Sequence, residues 1–279
     1  MSGSIAQSFL PSLFGSGGDG LLTALYGLSG PGQSTTNPIA ALQQASSQQK
    51  KQVALTAAQP QMKRDIAAFT AAVAAAKTPA DLLKNPLALK VLLTANGLGD
   101  HAGATALATR ALLSDPAKPN ALAARLADPR WLTMSKLYAF ATKGLTALKT
   151  PGVLAGITNG YAEVLWRQGL NRTTPGLSNA LDFQKRASTI TSVDQVLSDP
   201  TFRDVVTTAL GVPREIAFQS LLAQEKAISV RIDLKKFADP AFVTQFTRRY
   251  LIQKALTADA AAGAPDLSTL AVRSAGLVV

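Results

Sequence analysis

The sequence predicts an all-α protein: two related helical units joined by a central helical segment, with flexible N- and C-terminal tails. Three observations carry that reading. Alanine is heavily used, aromatics make up 6% of the 279 residues, and β-branched residues are scattered. Alanine loses no side-chain entropy on entering a helix, so it is the best helix former. Segments open on Asn-Pro or Asp-Pro and close on Gly, which is the start and stop chemistry of helices. The same signals then return in the second half of the chain in the same order.

Residues 1–36 read as a flexible N-terminal arm rich in Gly and Ser, with Gly30-Pro31-Gly32 near its end. Within it Ile5, Phe9, Leu10, Leu13 and Phe14 are spaced to give a short helix an apolar face, which makes them the candidate partner-binding residues. The first helical half covers 37–150. Asn37-Pro38 starts a helix over 38–59, and Pro60 starts another through Ala76 with Met62, Ile66, Phe69 and Val73 on one stripe.

Asn85-Pro86 opens the next helix, which stops at Asn96-Gly97; Asp199-Pro200 opens another, which stops at Leu210-Gly211. Asp128-Pro129 leads into Trp131, Met134, Leu137, Tyr138 and Phe140, and Asp239-Pro240 leads into Phe242, Val243, Phe246, Tyr250 and Leu251. Two units, at about 77–142 and 190–255, account for these pairs. Between them lies a helix from Pro151 to Gln168, followed by a second over Gly176–Lys185. The second half is 151–257, and 258–279 reads as a C-terminal tail with a short helix around Asp266–Arg273.

Composition narrows the chemistry. With no cysteine, disulfides, thiolate metal sites and thiol nucleophiles are excluded. The formal charge of +11 resides in the body, since no Lys or Arg precedes Lys50. That balance favours acidic partners. No cleavable signal peptide is seen and no run of about 18 apolar residues exists, so no membrane-spanning helix is expected.

The single histidine, His101, follows Asp100, a pairing that could poise a general base only with a third group and a pocket. Asp115, Asp128, Asp199 and Asp239 stand before prolines, where helix capping accounts for them. Gly15–Gly20 and Gly97-Leu98-Gly99 lack the Lys-Ser or Lys-Thr and the preceding strand of a phosphate loop. Trp131, Tyr138, Tyr161 and Trp166 fall at core spacing. The basic pairs from Lys50-Lys51 to Arg248-Arg249 lie apart from one another, as on a solvated face.

Particular stretches resemble a known family. Lys63-Arg64-Asp65-Ile66-Ala67-Ala68-Phe69 is similar to its opening helix. Thr78-Pro79-Ala80-Asp81-Leu82-Leu83 with Ala95-Asn96-Gly97-Leu98-Gly99-Asp100 is similar to its first unit. Asn120 through Arg130, ending in Leu126-Ala127-Asp128-Pro129-Arg130, is the most specific stretch. Thr191 through Leu197, Ala209-Leu210-Gly211-Val212-Pro213 and Asp233-Leu234-Lys235-Lys236-Phe237 extend the match.

Over about residues 60–253 the chain thus resembles the bacterial domain-of-unknown-function 1217 family, whose members stand near flagellar genes of alpha-class proteobacteria. The resemblance implies a helical protein of the flagellar system and carries over no catalytic residue. The expectation is a non-enzymatic structural component or assembly factor of the flagellum, without cofactor or metal, located in the flagellum or the cytoplasm. Its partners would be other flagellar or export proteins, or a second copy in a homo-oligomer. The alternative is a basic helical protein that binds nucleic acid.

Overall fold

Helix starts fall where the local chemistry places them. In a computed structural model, which describes residues 37–263 with side chains to 258, all regular structure among the described residues is helical. The side chain of Asn37 accepts from the Ile39 and Ala40 amides ahead of α1 (Pro38–Ala57). Helix α2 (Pro60–Ala75) follows at once, and α3 (Pro79–Lys84) opens on a capping box between Thr78 and Asp81. Asn85 caps α4 (Pro86–Ala95) through the Ala88 amide. After a 3-10 turn at Gly99–His101 come α5 (Thr105–Leu112), α6 (Leu122–Arg125), α7 (Pro129–Tyr138) and α8 (Phe140–Lys143).

The central helix α9 (Pro151–Leu170) and α10 (Leu177–Arg186) then lead into the second unit. Ser192 caps α11 (Val193–Ser198) as Thr78 caps α3, and Asp199 caps α12 (Pro200–Ala209) as Asn85 caps α4. A 3-10 turn at Arg214–Phe218, α13 (Leu221–Ser229), a second turn at Leu234–Ala238 and α14 (Pro240–Gly263) complete the described chain. Helix α14 runs on to Gly263, six residues into the stretch 258–279 expected as a tail. The short helix expected around Asp266–Arg273 lies outside the described residues, as does the arm at 1–36.

The repeat is physical. Gly97 and Gly211 both take positive φ, 79° and 63°, at the C-terminal ends of α4 and α12. The Leu98 amide reaches back to the Leu93 carbonyl at 2.8 Å, and the Val212 amide to that of Thr207 at 2.9 Å. The Gly97 and Gly211 amides donate to Thr94 and Thr208. That pair of bonds is the Schellman closure, which needs a left-handed residue and so selects glycine. The likeness also reaches further back than the punctuation signals: Phe69 of α2 and Phe183 of α10, each fully buried, stand in the same place before their units.

Two cores result. Phe69, Leu82, Leu89, Leu92, Trp131 and Tyr161 are among the residues of the first, and Phe183, Val196, Phe202, Phe237, Phe246 and Tyr250 of the second. Helix α9 feeds both: Ile157, Tyr161 and Ala162 enter the first, Trp166 the second. Twenty helical residues extend about 30 Å, enough to serve two cores. Where α9 crosses α4, a Cβ at Gly160 would lie 3.1 Å from the Ala95 carbonyl oxygen, a tight contact that would push the two helices apart by a few tenths of an ångström.

The division of the cores does not follow the sequence boundary at Pro151. Helix α1 belongs to the first half of the chain, yet its narrow Ala41, Leu42 and Ala45 stripe buries in the second core, alongside α10 and α14. Of the four buried hydrophobic residues of α9, three lie in the first core. A narrow stripe of small residues needs an apolar surface already built by others, and local sequence does not specify which.

Candidate interaction surface

The aspartates before prolines resolve into different environments. Asp239 is exposed and accepts from the Ala241 amide at 2.9 Å, and Asp115 accepts from the Ala117 amide at 3.0 Å. Asp128 accepts from the Arg130 amide at 2.9 Å and also clamps that residue's guanidinium. Asp199 is fully buried. Its Oδ1 accepts from the Thr201 and Phe202 amides, while its Oδ2 accepts from Arg186 Nη1 at 2.6 Å.

From Asp199 an ion ladder runs both ways. Arg130 Nε lies 3.6 Å from it, reaching across from the first unit, and Arg130 Nη1 also donates to the Gly97 carbonyl at 2.6 Å. In the other direction Arg186 binds Asp182, Asp182 binds Arg167 at 2.5 Å, and Glu163 joins Arg167 to Lys185. Four acids and four bases alternate, tying α7, α12, α10 and α9 together. A crevice of about 280 Å³ between the units is lined by Asn96, Arg130, Met134, Arg186, Gln195 and Phe202. Both guanidiniums there are already engaged by carboxylates, so the crevice has no cation left to hold an anion.

Burial alone would raise the pKa of Asp182, but Arg167 and Arg186 outweigh it and hold the carboxyl below its ordinary 3.8. Asp204 behaves alike: against burial, hydrogen bonds from Lys254, Tyr250 and Asn179 hold it low. Burial and the Asp204 charge keep the Tyr250 phenol protonated. Since both carboxyls sit below their unfolded value, protonation favours the unfolded chain. Their stabilisation is complete above that value and lost as pH falls through the folded values. The melting temperature should therefore fall steeply below about pH 4, and Asp182→Asn should flatten part of that fall. An equally steep profile in the variant would remove Asp182 from this account.

His101 sits 5.4 Å, ring to ring, from Trp131, and no hydrogen bond joins it to the exposed Asp100. Trp131, Tyr138, Tyr161 and Trp166 are core residues. Ile5, Phe9, Leu10, Leu13 and Phe14 lie outside the described residues.

An apolar face that the sequence reading passed over stands out instead. Among the described residues Phe218 is 92% exposed, Leu222 74%, Val230 68% and Leu221 58%. They flank and occupy α13, which buries Ile228 alone. In the first unit α5 buries Ala108, Ala111 and Leu112, and α7 packs over it. The corresponding Asp-Pro-led helix of the second unit, α14, lies instead along α12 and α10. Helix α13 thereby lacks the cover that α5 has. The available signal was Phe218, Leu221 and Leu222, three large apolar residues at i, i+3 and i+4, the spacing of one helix face.

Beside this face, residues 229–233 at and after the end of α13, the turn at Leu234–Ala238 and α14 line a groove of about 560 Å³. Val230, Ile232 and Phe242 supply its apolar walls, and Arg231, Lys236 and Arg249 its rim. Among the described residues those three cations enter no ion pair. Asp233, also at the rim, accepts from the Lys235 amide at 3.0 Å. Contiguous exposed apolar patches, unlike singly exposed side chains, mark contact sites on soluble proteins.

Fold and surface together define a two-unit all-α protein with an uncovered apolar face and a basic groove. The chain belongs to the family described as Protein of unknown function (DUF1217), whose model matches residues 95–243. Its fold is similar to that of the crystal structure of protein AGR_C_984 from Agrobacterium tumefaciens, with a TM-score of 0.68 and 24% sequence identity over 81% of this chain and 96% of that one. No curated protein matches the sequence.

Proposed function

We propose that this chain is a non-catalytic component or assembly factor of the bacterial flagellum that works by docking protein partners on the second unit. The observation that carries the docking reading is the exposed face of Phe218, Leu221, Leu222 and Val230 beside a basic groove. Leaving large apolar side chains in water costs roughly 25 cal/mol per Å², a penalty that a partner removes. The occupied state of the aspartate caps supports the non-catalytic part. Asp128, Asp199 and Asp239 each accept backbone amides, and the first two are also tied to arginines. The flagellar part rests on the resemblance of the sequence motifs to the family found near flagellar genes.

The test is swimming motility in a flagellated host lacking this gene. Wild-type protein should restore motility, and Phe218→Ser with Leu222→Ser should not, although it accumulates and melts like wild type. A fully motile deletion strain would end the flagellar reading. Full rescue by the double variant would end the docking reading.

A further inference from the structure

We infer that the exposed face of α13, together with the basic groove that adjoins it at Val230, receives an acidic amphipathic helix from another protein. This rests on the docking reading above and names the chemistry of the partner. Val230, Ile232 and Phe242 give the groove apolar patches, and among the described residues the cations on its rim, Arg231, Lys236 and Arg249, enter no ion pair. Over 210–249 the sequence carries seven basic residues and four acidic ones. Two of those acids, Asp233 and Asp239, already accept backbone amides. An incoming segment with apolar anchors and flanking carboxylates therefore meets both needs of the surface.

Helical spacing fits the face. Val230 lies immediately after α13 and Phe218 three residues before it, and α13 itself rises about 12 Å from Leu221 to Ser229, roughly two turns of helix. Anchors at i, i+3, i+4 and i+7 of a docked helix span the same distance. Charge also decides between sources. A second copy would present the same basic rim on a chain of net charge +11. Residues 1–36 bring one acid, Asp19, and residues 264–279 bring Asp266 with Arg273 to cancel it. Neither tail supplies the negative charge that the rim lacks.

The experiment uses the full chain and two fluorescent synthetic peptides of about 21 residues, each with leucines at i, i+3, i+4 and i+7. One carries Glu at the remaining positions and the other Lys. Anisotropy at about 50 mM salt should show saturable binding of the Glu peptide and none of the Lys peptide, with affinity falling as salt rises. Arg231→Glu with Arg249→Glu, and separately Phe218→Ser with Leu222→Ser, should each weaken binding about tenfold or more, with melting curves unchanged. Deleting residues 1–36 should leave the affinity as it was.

Equal binding of both peptides, or full affinity in the arginine variant, would overturn the acidic partner; if the Phe218 and Leu222 variant still lost binding, docking itself would stand. No binding of the Glu peptide overturns the inference, and the motility test then judges docking alone. A tenfold gain on deleting residues 1–36 would make the chain's own arm the occupant and overturn it as well.

Discussion

Replacing Asp199 with alanine is expected to destabilise the protein by about 3–4 kcal/mol in urea unfolding, far more than the same change at Asp239. The two residues look alike in sequence, each preceding the first-turn proline of a helix. At Asp239 only an exposed cap is lost, which costs about 1 kcal/mol. At Asp199 the cap is buried, and its second oxygen holds Arg186 and faces Arg130. Removing the buried carboxylate leaves Arg186 with Asp182 and Arg130 with Asp128 as their single remaining counter-charges, and breaks a buried pair from one side, which is the costly way to do so. Arg186 keeps some exposure to water, which holds the figure toward the lower end of the range for buried pairs. Asp199→Asn, which keeps an oxygen for the Thr201 and Phe202 amides, should fall between the two. Equal losses at Asp199 and Asp239 would reduce the ladder to a surface feature of little energetic weight.

Phe183→Ala is expected to cost about 3–5 kcal/mol and lower the melting temperature by on the order of 10 °C, while Phe218→Ala should change stability by no more than about 0.5 kcal/mol. Phe183 is fully buried on α10, with ring centroids 5.3 Å from Phe237, 5.8 Å from Phe246 and 6.0 Å from Phe202. Truncating it opens a cavity where four elements meet and removes edge-to-face contacts as well as area. Phe218 has almost no protein around it to lose. Differential scanning calorimetry of both variants separates the cases. A stability loss at Phe218 approaching that at Phe183 would mean its ring is covered within the chain, and the docking face would go with it.

Much of the fold was legible because capping is local. Asn37, Asn85, Asp128 and Asp199 each accept amides two or three residues ahead, and Gly97 and Gly211 close their helices within one turn. Such signals lie inside a short window of sequence, so their positions gave α1, α2, α4, α7, α9, α12 and α14 nearly as observed. The stripe of Met62, Phe69 and Val73 was legible for the same reason, since helical period places it on one face. Leu137, which follows Asp128-Pro129 together with Trp131 and Tyr138, is 58% exposed while those two are buried.

By itself, then, the sequence determined an all-helical chain, two related units, and the places where most helices begin and end. Only the tertiary structure decided that α1 serves the second core, that Asp199 anchors an ion ladder while Asp239 caps in water, and that α13 is left uncovered. The physical reason is range. A cap or a glycine exit is satisfied within a turn, whereas burial depends on which distant helix arrives. The Gly97 carbonyl takes Arg130 from 33 positions on, and Asp204 takes the Tyr250 hydroxyl from 46 positions on. Whether α13 is covered depends on where α14 settles, which the residues of α13 do not encode.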